Sequence, residues 1–158
     1  MRSSIILFIL VMLLFFSSAC DSNRYFEQNK EIEKESWFYK DIKTFTIDIE
    51  DTSSLFNFYL NIRNTTDYPF SNLYLFMESE MPNSHTARDT IELQLAYLNG
   101  KWLGSGYGRY KYTQFILRKG MRFGAKGTYT FHIRHGMRKD TLKGISDLGI
   151  RIEYNNQF

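Results

Sequence analysis

From residue 43 onward, apolar and polar side chains alternate with a period of two along most of the chain. Phe45, Ile47 and Ile49 alternate with Thr44, Thr46 and Asp48, so one face of an extended segment is apolar and the other polar. The cleanest run follows, with Phe56, Phe58, Leu60 and Ile62 set against Asn57, Tyr59, Asn61 and Arg63. Leu73, Leu75 and Met77 repeat the pattern, then Ile91, Leu93, Leu95 and Tyr97. Tyr129, Phe131 and Ile133 form another strand, and Leu148, Ile150, Ile152 and Tyr154 close the chain. Residues 112–119 fit either a short strand or one helical segment. Turn-forming clusters fall between these runs at residues 51–54, 64–69, 81–84 and 135–140, and Pro69 pushes Tyr68 into extended backbone. Six clear strands, one or two weaker ones and no long helical period predict an all-β fold. It is a single antiparallel β-sandwich over residues 37–158, with a closed barrel as the alternative.

The first 42 residues read differently. Arg2 precedes an unbroken apolar run over residues 5–16, followed by Ser17, Ser18, Ala19 and Cys20. Twelve residues make a helix of about 18 Å, whereas a bilayer core takes roughly 20 apolar residues to span. Residues 1–19 are therefore read as a secretory signal rather than a permanent anchor. The signal ends on the chain's single cysteine. That layout is the one a lipoprotein signal peptidase cuts, leaving Cys20 as an acylated N-terminus, although Ser17 stands where the usual lipobox has Leu. An ordinary signal peptide cut near Ala19, with an incidental thiol, is the other reading. Two or more acyl chains hold a protein stably to a leaflet. Residues 20–36 are polar and charge-mixed and are read as a short tether, with a helical turn or two near residues 31–35.

Aromatic residues make up 17% of the chain and there are two prolines, which argues for a packed, strand-rich core. One cysteine allows no internal disulfide, so the core alone must stabilise the fold. Charge is divided unevenly. Residues 21–100 carry seven basic and fourteen acidic side chains, and residues 101–158 carry twelve and three. Such a division suits either a basic surface for an acidic partner or two halves interleaved as neighbouring strands that pair across one another; the second fits a small sandwich better.

Catalytic chemistry finds little support. His132 and His135 are three apart on a strand, so they point to opposite faces and do not chelate one metal ion. His85 lies in a turn with no ligand partner at metal-site spacing. The glycine-rich run 104–108 lacks the following helix and Lys-Ser/Thr pair of a phosphate-binding loop. Glu78 and Glu80 share one strand face and read as solvated. No catalytic, cofactor-binding or metal-binding residue is expected. The loop aromatics Tyr68, Trp102, Tyr107 and Tyr110 suit recognition of a partner or a sugar as well as capping of the core, and Trp102, set among glycines, is read first as a cap.

A series of segments, taken in order, resembles the gliding motility lipoprotein GldH family of the Bacteroidota. They are residues 20–24 (Cys-Asp-Ser-Asn-Arg), 57–64 (Asn-Phe-Tyr-Leu-Asn-Ile-Arg-Asn), 67–73 (Asp-Tyr-Pro-Phe-Ser-Asn-Leu), 89–92 (Asp-Thr-Ile-Glu), 100–104 (Gly-Lys-Trp-Leu-Gly), 127–131 (Gly-Thr-Tyr-Thr-Phe), Met137-Arg138 and 142–153. The pair His135-Gly136 departs from that pattern. The resemblance implies a lipoprotein of the cell envelope needed for gliding and associated with type IX secretion, and it implies no enzyme. It transfers one residue with a chemical role, Cys20.

Together these readings give a non-catalytic lipoprotein anchored to the membrane through acylated Cys20, on the periplasmic side of the inner or outer membrane. Its partners are other envelope proteins of the gliding and secretion machinery, with no nucleic acid and no small-molecule substrate. Candidate contacts are Arg63, Asp67, Tyr68, Trp102, Tyr107 and Tyr110, in loops that join strands and carry aromatic and charged tips together. A lipid-anchored module that binds surface glycans is the alternative, and an envelope hydrolase has the least support.

Overall fold

The computed structural model describes residues 21–155. Cys20 and the signal expected before it lie outside the described residues. The order of strands is β1 (Arg24–Glu31), β2 (Ser36–Phe38), β3 (Lys43–Ile49), β4 (Phe56–Thr65), β5 (Asn72–Glu80), β6 (Thr86–Gln94), β7 (Tyr110–Met121), β8 (Gly127–His135), β9 (Thr141–Lys143) and β10 (Ile145–Tyr154). A single 3₁₀ turn, Glu33–Glu35, separates the first two. Two four-stranded antiparallel sheets, β1-β10-β4-β7 and β3-β8-β5-β6, make the sandwich, and β2-β9 is a small ribbon beside them.

The alternation seen in the sequence is what fills the space between the sheets. Phe45, Ile47 and Ile49 of β3, Phe56 to Ile62 at alternate positions of β4, and Leu148, Ile150 and Ile152 of β10 are all buried. Phe58 meets Phe131 of the opposite sheet with ring centroids 5.1 Å apart, and Phe123 bridges Phe56 and Tyr129 at 5.4 and 4.9 Å. Each such side chain contributes on the order of 1.5–3 kcal/mol by leaving water.

Four features depart from expectation or resolve it. Residues 24–31 form β1 rather than a polar tether, pairing along its length with β10 from Arg24↔Glu153 to Glu31↔Asp147. Residues 36–38 pair with 141–143. The ambiguous segment is a strand of twelve residues, β7, paired with β4. The fourth predicted strand begins earlier, at Thr86, and ends at Gln94, because Leu95 N turns away to donate to Ser71 O at 2.7 Å.

β1 carries few apolar residues because its outer face belongs to a polar row. Asn29, Gly149, Asn61 and Gln114 stand side by side on four neighbouring strands. Asn61 Nδ2 donates to Glu27 Oε1 at 3.1 Å and to Asn29 Oδ1 at 3.4 Å, and Gln114 Nε2 donates to Asn61 Oδ1 at 3.0 Å. Gly149 makes the row possible, since a Cβ there would lie 1.9 Å from Asn29 Oδ1.

Acidic and basic halves of the chain interleave. β10 lies between β1 and β4, and β8 between β3 and β5. Arg151 of β10, with its side chain only 14% exposed, is held by Asp21, Glu27 and Glu153. Burial pulls its pKa down, but the three carboxylates outweigh that and hold it above the ordinary arginine value.

Candidate functional site

Segments far apart in sequence converge at the end of the first sheet where β4 finishes and β7 begins. Their backbones are stitched together first. Gly144 N donates to Glu35 O at 2.9 Å, Thr65 N to Gly144 O at 2.8 Å, and Thr66 N to Arg109 O at 2.7 Å. Gly144 adopts φ +93°, and a Cβ there would come within 2.8 Å of the Tyr68 Cα, so this crossing requires glycine. Lys34 and Glu35 hold φ values of 52° and 53°, the left-handed region that non-glycine residues seldom occupy.

On this frame the side chains form one cluster. Arg109 donates through Nη1 and Nη2 to the two oxygens of Glu35 at 3.2 and 2.8 Å, and through Nη2 to Asp67 Oδ2 at 3.2 Å. Tyr110 Oη donates to Glu35 Oε1 at 2.8 Å. The Tyr110 ring takes the Arg109 guanidinium at 5.3 Å and that of Arg63 at 5.8 Å. Arg63 Nε donates in turn to Asp147 Oδ2 at 2.6 Å. That hydrogen bond is the main cause raising the Arg63 pKa, and the bond to Glu35 is the main cause raising that of the Tyr110 phenol. Desolvation opposes the charge on Arg109, yet Glu35 and Asp67 raise its pKa overall.

Exposed ion pairs contribute only about 0.2–1 kcal/mol each, so this cluster matters less for stability than for order. It holds two guanidinium planes and a phenol in fixed positions at a surface where Arg109 is 47% and Asp67 76% exposed. Such a surface is suited to stacking against its guanidinium and phenol faces and to hydrogen bonding at the exposed Asp67.

The candidate contacts thus divide. Arg63, Asp67 and Tyr110 are brought together. Tyr68 is a correction: it is buried, 3% exposed, with its hydroxyl donating to Asn72 O at 2.8 Å and its ring edge-on to Phe70. Burial pushes its phenol well above the ordinary value. Trp102 is half-buried against the core, pairing through its backbone with Ala96. Tyr107 is fully exposed. Glu35 and Arg109 were missed by sequence reasoning. Glu35 sat in a stretch whose mixed charges suggested a tether, and no local pattern joins it to a residue 74 positions on.

His132 and His135 do face opposite ways. His132 hydrogen-bonds Thr44 Oγ1 at 2.9 Å and approaches Glu80 at 3.4 Å, while His135 is buried edge-on to Trp37. Glu78 is paired with Arg88. Among the described residues, no three His, Cys, Asp or Glu side chains come together as a metal site.

Fold and cluster define an antiparallel β-sandwich module with a prearranged polar and aromatic surface at one end. The model of the GldH lipoprotein family matches residues 24–152. A protein of Christiangramia forsetii named gliding motility lipoprotein GldH homolog is 32% identical over 97% of this chain and 98% of its own length. The gliding motility lipoprotein GldH of Flavobacterium johnsoniae is 32% identical over 96% of each. The chain belongs to the GldH lipoprotein family. Among solved structures, a family GH115 4-O-methyl-α-glucuronidase aligns with 84% of this chain and 18% of its own at a TM-score of 0.43 and 11% identity.

Proposed function

We propose that this protein is a gliding-motility lipoprotein of the cell envelope, held to a membrane by acylated Cys20, that works through protein contacts and performs no catalysis. Family membership supports the coarse role, since both relatives carry gliding-motility lipoprotein names. The observation that carries the finer reading is the Glu35–Asp67–Arg109–Tyr110 cluster, which is exposed yet already ordered by its own hydrogen bonds. Pre-ordering lowers the entropic cost of binding, and Arg and Tyr are the residue types that dominate contact energies. The partner is another envelope protein of the gliding machinery, in support of type IX secretion.

The test is genetic and biochemical. A deletion strain is expected to lose surface spreading and secretion through the type IX route, and normal behaviour in both would end the proposal. Restoring the strain with Arg109→Glu should leave the protein folded and at normal abundance. It should also remove the crosslinked partner recovered with the unaltered protein. Full partner recovery from that variant would move the contact elsewhere.

A further inference from the structure

The sandwich is closed along one side and open along the other. On the closed side β1 reaches β3: Tyr25 Oη donates to Asp48 O at 3.0 Å and accepts from Glu50 N at 3.1 Å. On the other side the edge strands β6 and β7 are the last in their sheets and do not pair with each other. Between them a cleft of about 620 Å³ enters the core, its walls including Phe58, Met77, Leu117 and Phe131. Ile91 of β6 and Leu117 of β7 are therefore only half-buried, whereas Leu60 and Leu75 of the inner strands are fully covered.

Charge at this opening is one-sided. Arg118 and Arg122 line it and are exposed, and neither makes an ion pair among the described residues. In contrast, Arg63, Arg88, Arg109 and Arg151 each hold a carboxylate. Lys119 and Lys126 lie close by in sequence, and residues 101–139 contain no Asp or Glu. Asp89 is the single carboxylate lining the cleft, and it stands on β6, so the β7 side is the place for an anion.

From this geometry we infer that the cleft is a binding site for a single-chain anionic amphiphile, a long-chain fatty carboxylate, with the chain between the sheets and the carboxylate on Arg118 and Arg122. The volume falls within the roughly 300–1,000 Å³ of small-molecule sites, and apolar walls with a few convergent polar groups are their usual make-up. An alkyl chain asks for no hydrogen bonds inside. An extended peptide would bring a polar backbone group pair every 3.3 Å or so, to walls that are chiefly apolar side chains. Guanidinium groups suit a carboxylate because they bind it in two-point fashion.

The test uses the mature protein, anchored through Cys20 as proposed, in phosphatidylcholine nanodiscs, photolabelled with a diazirine analogue of palmitate, the adducts being mapped by mass spectrometry. Labelling is expected within residues 117–131 and to be competed by unlabelled palmitate. The palmitate methyl ester, and the double variant Arg118→Ala with Arg122→Ala at exposed positions, should each lower it about tenfold. Ile91→Trp, which fills the cleft, should abolish it. Equal labelling by acid and ester, or labelling unaltered by Ile91→Trp in a protein with an unchanged melting temperature, overturns the inference. So does labelling by a diacyl phosphatidic acid analogue but not by palmitate, which would assign the cleft to membrane lipid. Crosslinking of an extended peptide along β7 with no palmitate adduct would assign the opening to strand pairing instead.

Discussion

His135 is buried against Trp37, and burial lowers its pKa from the ordinary 6.5. The unfolded chain therefore binds a proton at this residue more readily than the folded one as pH falls through about 6.5. Stability from the neutral imidazole is present above that pH and lost progressively below it. Melting temperatures followed by circular dichroism should fall between pH 7 and pH 5, and His135→Leu should reduce that fall relative to the parent. An identical pH profile in the variant would show that other groups govern the acid limb. Two loop tyrosines test burial in the same way. Tyr68→Ala should cost about 3–5 kcal/mol, Tyr68→Phe about 1 kcal/mol for the lost bond to Asn72 O, and Tyr107→Ala within about 0.5 kcal/mol. Urea denaturation distinguishes these values. Sequence placed both tyrosines in loops and could go no further. Whether a loop ring turns inward depends on the space left by distant segments, here residue 144 crossing behind Tyr68.

At the level of strands, what the alternation revealed is what the core needs. β3, β4, β5, β8 and β10 each put a regular apolar face between the sheets, and their periodicity is visible without any partner. β1 has no such face, because it is an edge strand held by backbone pairing and by the polar row through Asn61. β2 and β9 are three residues each, too short for a period to show. Glu35 of the contact cluster was hidden for the same reason, since it lies in the segment joining β1 to β2. The row offers a direct test. Gly149→Ala would press a methyl group on Asn29 and, at 2.9 Å, on the Gln28 carbonyl oxygen. It should cost about 1–3 kcal/mol, of which Asn29→Ala should return part. A double-mutant cycle with no coupling would mean that the two strands are not held in this register.

For the molecule as a whole, the acidic and basic halves of the chain interleave as neighbouring strands and pair across them. Arg63 with Asp147 and Arg151 with Glu27 each join the two halves across neighbouring strands. The same arrangement bears on how the body would meet the anchor proposed at Cys20. Asp21 is ion-paired to Arg151, and β1 begins three residues later. With Cys20 acylated, about one residue of chain, roughly 3.8 Å between Cα atoms, separates the lipid from the sandwich. A Cys20→Ser variant confirmed to have lost residues 1–19 should stay in the soluble fraction after envelopes are pelleted, and its continued sedimentation would count against lipid anchoring. A flexible insert of about twelve Gly and Ser residues between Cys20 and Asp21 would keep the anchor and add a root-mean-square reach of about 20 Å. Surface spreading is expected to drop in that strain although attachment and abundance are unchanged, and normal spreading would show that closeness is not required.

The clamp between Asp21 and Arg151 thus has a mechanical meaning. With the anchor at Cys20 as proposed, the body would have little slack, so drag applied to it would pass to the lipid without first stretching a long leash. In the proposed gliding role, so short a mooring would convey load and keep the body near the bilayer.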